Sequence, residues 1–170
     1  MAQRIRPAAG GQNAAKGTEG ACPVYAELYA STSALDTDFC ARMGAVHRDG
    51  SVYSPGAQLM RCRYRNGETA EPMIPGKISR FRIEAANTCI VLQPGVAIRL
   101  DTAGSLFPDA DRSLNAFGSA GYKSVGTIAH QTVCHDPEHP SALILPITPR
   151  PDRRVYAPFI LRCHCPLVPL

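Results

Sequence analysis

The chain has 170 residues, 45% of them hydrophobic and 19% charged, and a net charge of +4. That is an ordinary soluble globular composition for one domain burying roughly 68–70% of its unfolded surface. The mild net charge argues against a nucleic-acid reader; no apolar run is long enough to span a membrane. The cysteines lie at 22, 40, 62, 89, 134, 163 and 165, scattered through hydrophobic runs. They do not read as a disulfide framework, and free, buried thiols in a reducing cytoplasm are expected.

Residues 1–21 are rich in Gly, Ala and short polar residues with no apolar period. They read as a disordered tail or linker remnant, without the apolar core of a secretory signal. From Pro23 onward the dominant period is two, as expected of half-buried strands. Val24, Ala26, Leu28 and Ala30 share one face, and so do Phe39, Ala41, Met43 and Ala45. In MRCRYR, Met60, Cys62 and Tyr64 alternate with Arg61, Arg63 and Arg65. Further on, Val96, Ile98 and Leu100 alternate with Arg99 and Asp101, and Leu143, Leu145 and Ile147 with Ala142, Ile144 and Pro146. The apolar members of these last three sets are expected in the core, with Arg61, Arg63, Arg65 and Arg99 largely exposed. RDGS, RNGE, IPGK and QPGV punctuate the runs as turns. No sustained helical stripe occurs, so the pattern predicts an all-β sandwich or jelly roll. Residues 103–127 form a long polar, glycine-rich connection of the kind that is usually functional or ordered against something else.

Each group of chemistry-bearing residues also has a plain structural reading. A nucleophile elbow needs G-x-S-x-G, and no serine has glycine at both flanking positions; Ser105 in AGSLF comes nearest. His135 and His139, with Asp136 and Glu138 between them and Cys163, His164 and Cys165 near the end, offer zinc-type donors. Pro137 and Pro140 forbid the helix that would align the histidines, and Cys-x-Cys is tighter than usual zinc spacing. A polar turn between two strands is the better reading. The arginine stripe at 61, 63 and 65, extended by Arg80 and Arg82, reads as a solvated face with opposite-charge neighbours across the sheet. Asp36 and Asp38 are too few oxygen donors for calcium and read as turn and strand entry.

The run VYAELYASTSALDTDFCARMGAVHRDG, then MRCRYRNG, PGKISRFRIE, LQPGVAIRLDTAGSLFPDADRSLN and HQTVCHDPEHPSALILPITPR, resembles a known C-terminal domain. It is that of the cocaine esterase (CocE/NonD) and X-prolyl dipeptidyl-peptidase family of serine hydrolases, in block order and spacing. The resemblance implies an all-β jelly-roll β-sandwich of galactose-binding-like type, of about eight strands. Members join it to an α/β-hydrolase domain that carries the Ser–Asp–His triad, and in some the jelly roll shapes the substrate entrance. The resemblance therefore implies a non-catalytic accessory domain, with catalytic, cofactor-binding and metal residues all none and no cofactor. The implied partner is the α/β-hydrolase catalytic domain, missing from this chain; self-association through the uncovered face is a further expectation. The implied organisation is a tail at 1–21, the domain at 22–150 and an unmatched extension at 151–170. SLFPDADRSLN departs from the family's run at Leu106 and Asp109 but keeps Phe107, Pro108, Asp111, Arg112 and Asn115. A reading of a different class is a carbohydrate-binding module, opposed by an aromatic content of 6% and the lack of tryptophan.

Overall fold

The structure is a computed structural model that describes residues 2–4, 18–20, 23–118, 125–148 and 158–162. Its strands are β1 (Ala2–Arg4), β2 (Thr18–Gly20), β3 (Val24–Thr32), β4 (Asp38–Val46), β5 (Val52–Arg61), β6 (Ser79–Ala86), β7 (Ile90–Leu92), β8 (Ala97–Ala103), β9 (Gln131–Cys134), β10 (Ala142–Thr148) and β11 (Pro158–Arg162). One sheet has the order β1-β8-β4-β5; the other runs β6-β3-β10-β2-β7, with β9 also pairing β3 and β11 also pairing β10. Among the described residues every strand pair is antiparallel, for example β4 with β5 and β8, and β3 with β6. This is an all-β sandwich. Within the stretches read from sequence as tail and extension, β1 lies on β8 and β11 on β10.

The core sits between the sheets, and the period-two pattern builds it. Val24, Ala26, Leu28 and Ala30 bury the inner face of β3, and Phe39, Ala41, Met43 and Ala45 that of β4. Phe81 and Ile83 of β6, Leu100 of β8, and Leu143 and Leu145 of β10 complete it. Phe39 and Phe81 meet across the two sheets with ring centroids 5.1 Å apart, an offset contact that aromatic pairs favour. Ile98 and Met60 are only partly buried against this core. Val96 lies just outside β8, half-buried, and the side chain of Ile147 falls outside the described residues. The Pro-Gly turns take the expected left-handed step, with φ +76° at Gly76 and +90° at Gly95. At Gly95 a Cβ would also run into the Arg48 guanidinium.

MRCRYR departs from expectation. The strand is Val52–Arg61, and it ends where the stripe begins; Cys62–Tyr64 is a turn of 3₁₀ helix. The change of period from two to three drops Cys62 fully into the core and leaves Tyr64 47% exposed. It also draws Arg63 and Arg65 inward, to 15% and 16% side-chain exposure. They are not a solvated stripe.

The ladder registers place three connections at one end of the sandwich. Thr32 pairs Gln131, Asp38 pairs Arg61, Ala30 pairs Ser79 and Cys40 pairs Ala103. Residues 33–37, 62–78, 104–118 and 125–130 therefore lie at that end. Leu145→Ala should cost about 2–5 kcal/mol, the range of buried leucine truncations. Tyr64→Ala should stay within about 0.5 kcal/mol, as exposed substitutions do. Urea titrations of both variants check the assignment.

Candidate functional site

The residues with catalytic potential are spent on local structure. Ser105 Oγ accepts the Phe107 N–H at 3.3 Å, closing a turn within its own loop. Among the described residues no histidine ring nitrogen hydrogen-bonds a serine hydroxyl; Ser33 Oγ accepts the His130 backbone N–H at 2.9 Å. Cys40, Cys62 and Cys134 are buried free thiols, while Cys89 is exposed, contrary to the expectation that all are buried. Burial, joined by the negative charges of Asp38 and Asp36, pushes the Cys62 thiol up, so it stays protonated and inert.

The HDPEHP segment is not a chain-reversing turn. Cys134 pairs Tyr29 and Ala142 pairs Glu27, so β9 and β10 run on in one direction along β3. Residues 135–141 leave the sheet and rejoin it opposite Leu28. Asp136 Oδ1 organises the excursion, accepting the backbone N–H groups of Glu138 and His139 at 3.0 and 2.9 Å and facing His139 Nδ1 at 3.1 Å. Ser141 Oγ accepts the Tyr29 N–H at 2.9 Å, filling the gap in the ladder. The His139 ring packs edge-on to Tyr29. Donor atoms of Asp136, Glu138 and His139 do approach one another. His135 is not among them, and Cys163, His164 and Cys165 fall outside the described residues.

The loop end holds the feature the sequence reading missed. Asp36 and Asp38 are fully buried. Arg61 forks onto Asp38, its Nε and Nη2 donating to the two carboxylate oxygens at 3.2 and 3.3 Å. Arg63 Nη2 approaches Asp36 Oδ2 at 2.6 Å, and the Arg63 backbone N–H donates to Asp36 Oδ1 at 3.2 Å. Asp36 Oδ2 and Arg63 Nε make no aligned hydrogen bond, so this pair is a charge contact, unlike the fork beside it. The signal was present as two matching spacings, Asp-x-Asp and Arg-x-Arg. With both carboxylates neutralised by guanidinium groups, the site does not suit a calcium ion. Burial pushes the Asp38 carboxyl above its ordinary value, with Arg61 opposing and Asp36 assisting.

The same cluster ties down the long loop. Thr37 Oγ1 donates to Asn115 Oδ1 at 3.0 Å and is itself bonded by Gln131 Nε2. Asn115 holds φ +58° and donates from Nδ2 to Thr127 O at 2.9 Å. Arg61 Nη2 also donates to Asp111 O at 3.1 Å. Arg65 staples its own loop, donating to Cys62 O, Glu71 O and Pro72 O. Such an end can present a shaped surface, but among the described residues it brings no nucleophile and base together.

Residues 23–144 match the family described as the X-Pro dipeptidyl-peptidase C-terminal non-catalytic domain. The chain belongs to that family. It is 34% identical to cocaine esterase of Rhodococcus sp. (strain MB1 Bresler) over 130 residues, which is 75% of this chain and 23% of that protein. Among solved structures it superimposes on an aminopeptidase from a marine sediment Thaumarchaeota archaeon with a TM-score of 0.71 and 25% identity, covering 81% of this chain and 25% of that one. An α-amino acid ester hydrolase shares the fold with a TM-score of 0.71 at 24% identity, covering 81% and 24%. A CocE/NonD family hydrolase from Staphylococcus aureus does so with 0.64 at 17%, covering 80% and 29%. The chain thus spans about a quarter of the length of these relatives.

Arg63→Met should destabilise the domain by about 3–5 kcal/mol, because it leaves the Asp36 charge buried without its partner. Arg63→Met combined with Asp36→Leu should recover much of that loss in a double-mutant cycle. Asp38 carries a sign of its own. With its folded pKa above the ordinary 3.8, its contribution to stability is fully present below that value and is lost as pH rises through the folded pKa. Asp38→Asn should therefore flatten the stability–pH slope just above pH 3.8, as read from urea midpoints across pH 3–7.

Proposed function

We propose that this domain is the accessory C-terminal jelly roll, of galactose-binding-like type, of an α/β-hydrolase-family serine hydrolase acting on acyl esters or Xaa-Pro peptides. It supports the catalytic domain and contributes to the rim of the substrate pocket. The observation that carries the reading is the match of residues 23–144 to a domain described as non-catalytic, in a chain that covers only 23% of cocaine esterase. The chemistry agrees: Ser105 closes a turn, and the acids of the loop end neutralise arginines. Under this reading catalysis is acyl transfer through a serine activated by histidine, on residues of the catalytic domain.

A cytoplasmic location is part of the proposal, supported by free Cys40, Cys62 and Cys134. No helix of the described residues is long and apolar enough to cross a membrane. For the carbohydrate-binding alternative there is a cleft of about 290 Å³ among the described residues, lined by Ala45, His47, Tyr53, Val91, Leu92 and Val96 among others. Its lining is mostly aliphatic, with Tyr53 as the aromatic platform and few groups for sugar hydroxyls, so the accessory reading is favoured.

Two measurements test the proposal. The isolated chain should show no turnover of p-nitrophenyl esters or Xaa-Pro p-nitroanilides. Turnover blocked by a serine-directed phosphonate, with the label on a serine of this chain, would overturn the non-catalytic assignment. Added to cocaine esterase truncated of its matching segment, the chain should lengthen the half-life of esterase activity on warming. An unchanged half-life would count against the supporting role.

A further inference from the structure

At the end of the sandwich opposite the buried ion pairs, Val46 pairs both Val52 and Ala97. The hairpin turn 47–51 and the turn 93–96 therefore stand next to each other. Beside them and β7 opens the cleft of about 290 Å³, and its wall is aliphatic, made by Ala45, Ile90, Val91, Leu92 and Val96. Tyr53 also lines it and is 57% exposed. The volume is about the lower limit for small-molecule sites, which are concave and mostly apolar with a few placed polar groups.

The polar groups of this end gather on one side. His47 and Gln93 complete the lining. Arg48 reaches from the hairpin to Gly95, so close that a Cβ there would collide with its guanidinium. Gly95 lies between Gln93 and Val96, which both line the cleft, in a turn closed by the Val96 N–H donating to Gln93 O at 3.1 Å. The hairpin is fixed in the same way: His47 N–H donates to Ser51 O at 2.9 Å and Gly50 N–H to His47 O at 3.0 Å. Among the described residues no acid pairs with Arg48; the ion pairs belong to Arg61, Arg63, Arg65, Arg80, Arg99 and His139. The neighbouring acid, Asp49, turns to Ser51 instead, accepting its backbone N–H at 2.9 Å and its hydroxyl at 2.7 Å. The mouth of an apolar cleft thus carries a seated guanidinium with no counter-charge on it.

We propose that this cleft binds a small amphiphilic carboxylate, with its apolar body on Ile90, Leu92 and Val96 and its head on the Arg48 guanidinium. Charge and shape select that occupant together. The aliphatic wall takes the body out of water, and the guanidinium fork matches the geometry of a carboxylate. One positive group suits a single negative charge, and Asp49, the next residue along, disfavours a doubly charged phosphate. The tied turns leave little conformational freedom to be lost on binding. The inference stands apart from the accessory reading, since every group it uses belongs to this chain.

The test titrates octanoate into the full chain and follows the backbone amides by NMR. Amides of 47–51 and 90–97 should shift saturably, while those of 62–78 stay in place. Octan-1-ol, with the same tail and no charge, should bind about fivefold more weakly, the worth of an exposed ion pair. Acetate, with the same head and no tail, should not saturate. Arg48→Gln should bring octanoate down to the affinity of octanol and leave octanol unchanged, and Arg48→Lys should keep part of the preference. Added salt should shrink that preference, because the charge sits at the surface. Arg80→Gln, at an exposed arginine of β6, should change neither ligand. If octanoate gives no saturable shift at the cleft, the proposal falls. If octanoate and octanol bind alike in the wild type and in Arg48→Gln, the cleft does not read charge and the carboxylate assignment is overturned. If the same amides shift with protein concentration alone and sedimentation velocity shows a dimer, the occupant is a second copy and the proposal is overturned.

Discussion

Two carboxylates taken wholly out of water cannot be left alone, and much of one end of this domain answers to that requirement. Asp36 and Asp38 stand at the entry to β4 with no solvent exposure. Desolvating a carboxylate costs several kcal/mol even after relaxation, and the cost is offset only by a close counter-charge with good hydrogen bonds. Arg61 and Arg63 supply the charges from the end of β5. To deliver both, the chain must leave strand geometry at Cys62, and the 3₁₀ turn there lets Cys62 fill the core while Arg63 swings to Asp36. Arg61 then reaches past Asp38 to Asp111, and Thr37, between the two acids, ties Asn115 and Gln131. The ion pairs act less as a source of net stability than as a means of fixing how three loops sit against one another.

Balance between apolar burial and polar satisfaction explains the other irregular element. Residues 135–141 interrupt what would otherwise be one long strand along β3. The interruption is tolerated because Ser141 supplies the acceptor the Tyr29 N–H would have lost, and because Asp136 serves the backbone donors of the excursion itself. Inward-facing Leu28 opposite the gap remains buried. A segment rich in histidine and acid thus does work that a hydrogen-bond inventory accounts for in full, apart from His135 Nδ1, which is buried without a partner.

The two ends of the sandwich differ in what they present. At one, apolar side chains stand on loops cross-tied by backbone bonds and anchored on buried charge. At the other lies an open aliphatic cleft beside Tyr53. The domain belongs to a family described as non-catalytic and spans about a quarter of its relatives' length.

Alternation of apolar and polar residues was enough to assign β3, β4 and the core half of β10, because a strand's side chains leave on opposite faces whatever the tertiary context. Pro-Gly at 75–76 and 94–95 announced turns for an equally local reason, the φ values that glycine accepts. The order of the sequence blocks carried the family. Three things were beyond local reading. Period two ran on through MRCRYR in the sequence, yet the chain stops being a strand at Arg61, because burying Asp36 and Asp38 elsewhere demands it. HDPEHP has the composition of a turn, and only its pairing with β3 shows that the chain does not reverse there. The gathering of Leu35, Ile74 and Phe107 at one end depends on strand registers across two sheets. Local steric preference is written residue by residue; charge compensation and shared surfaces exist only between residues far apart in the chain, so the tertiary structure alone decides them.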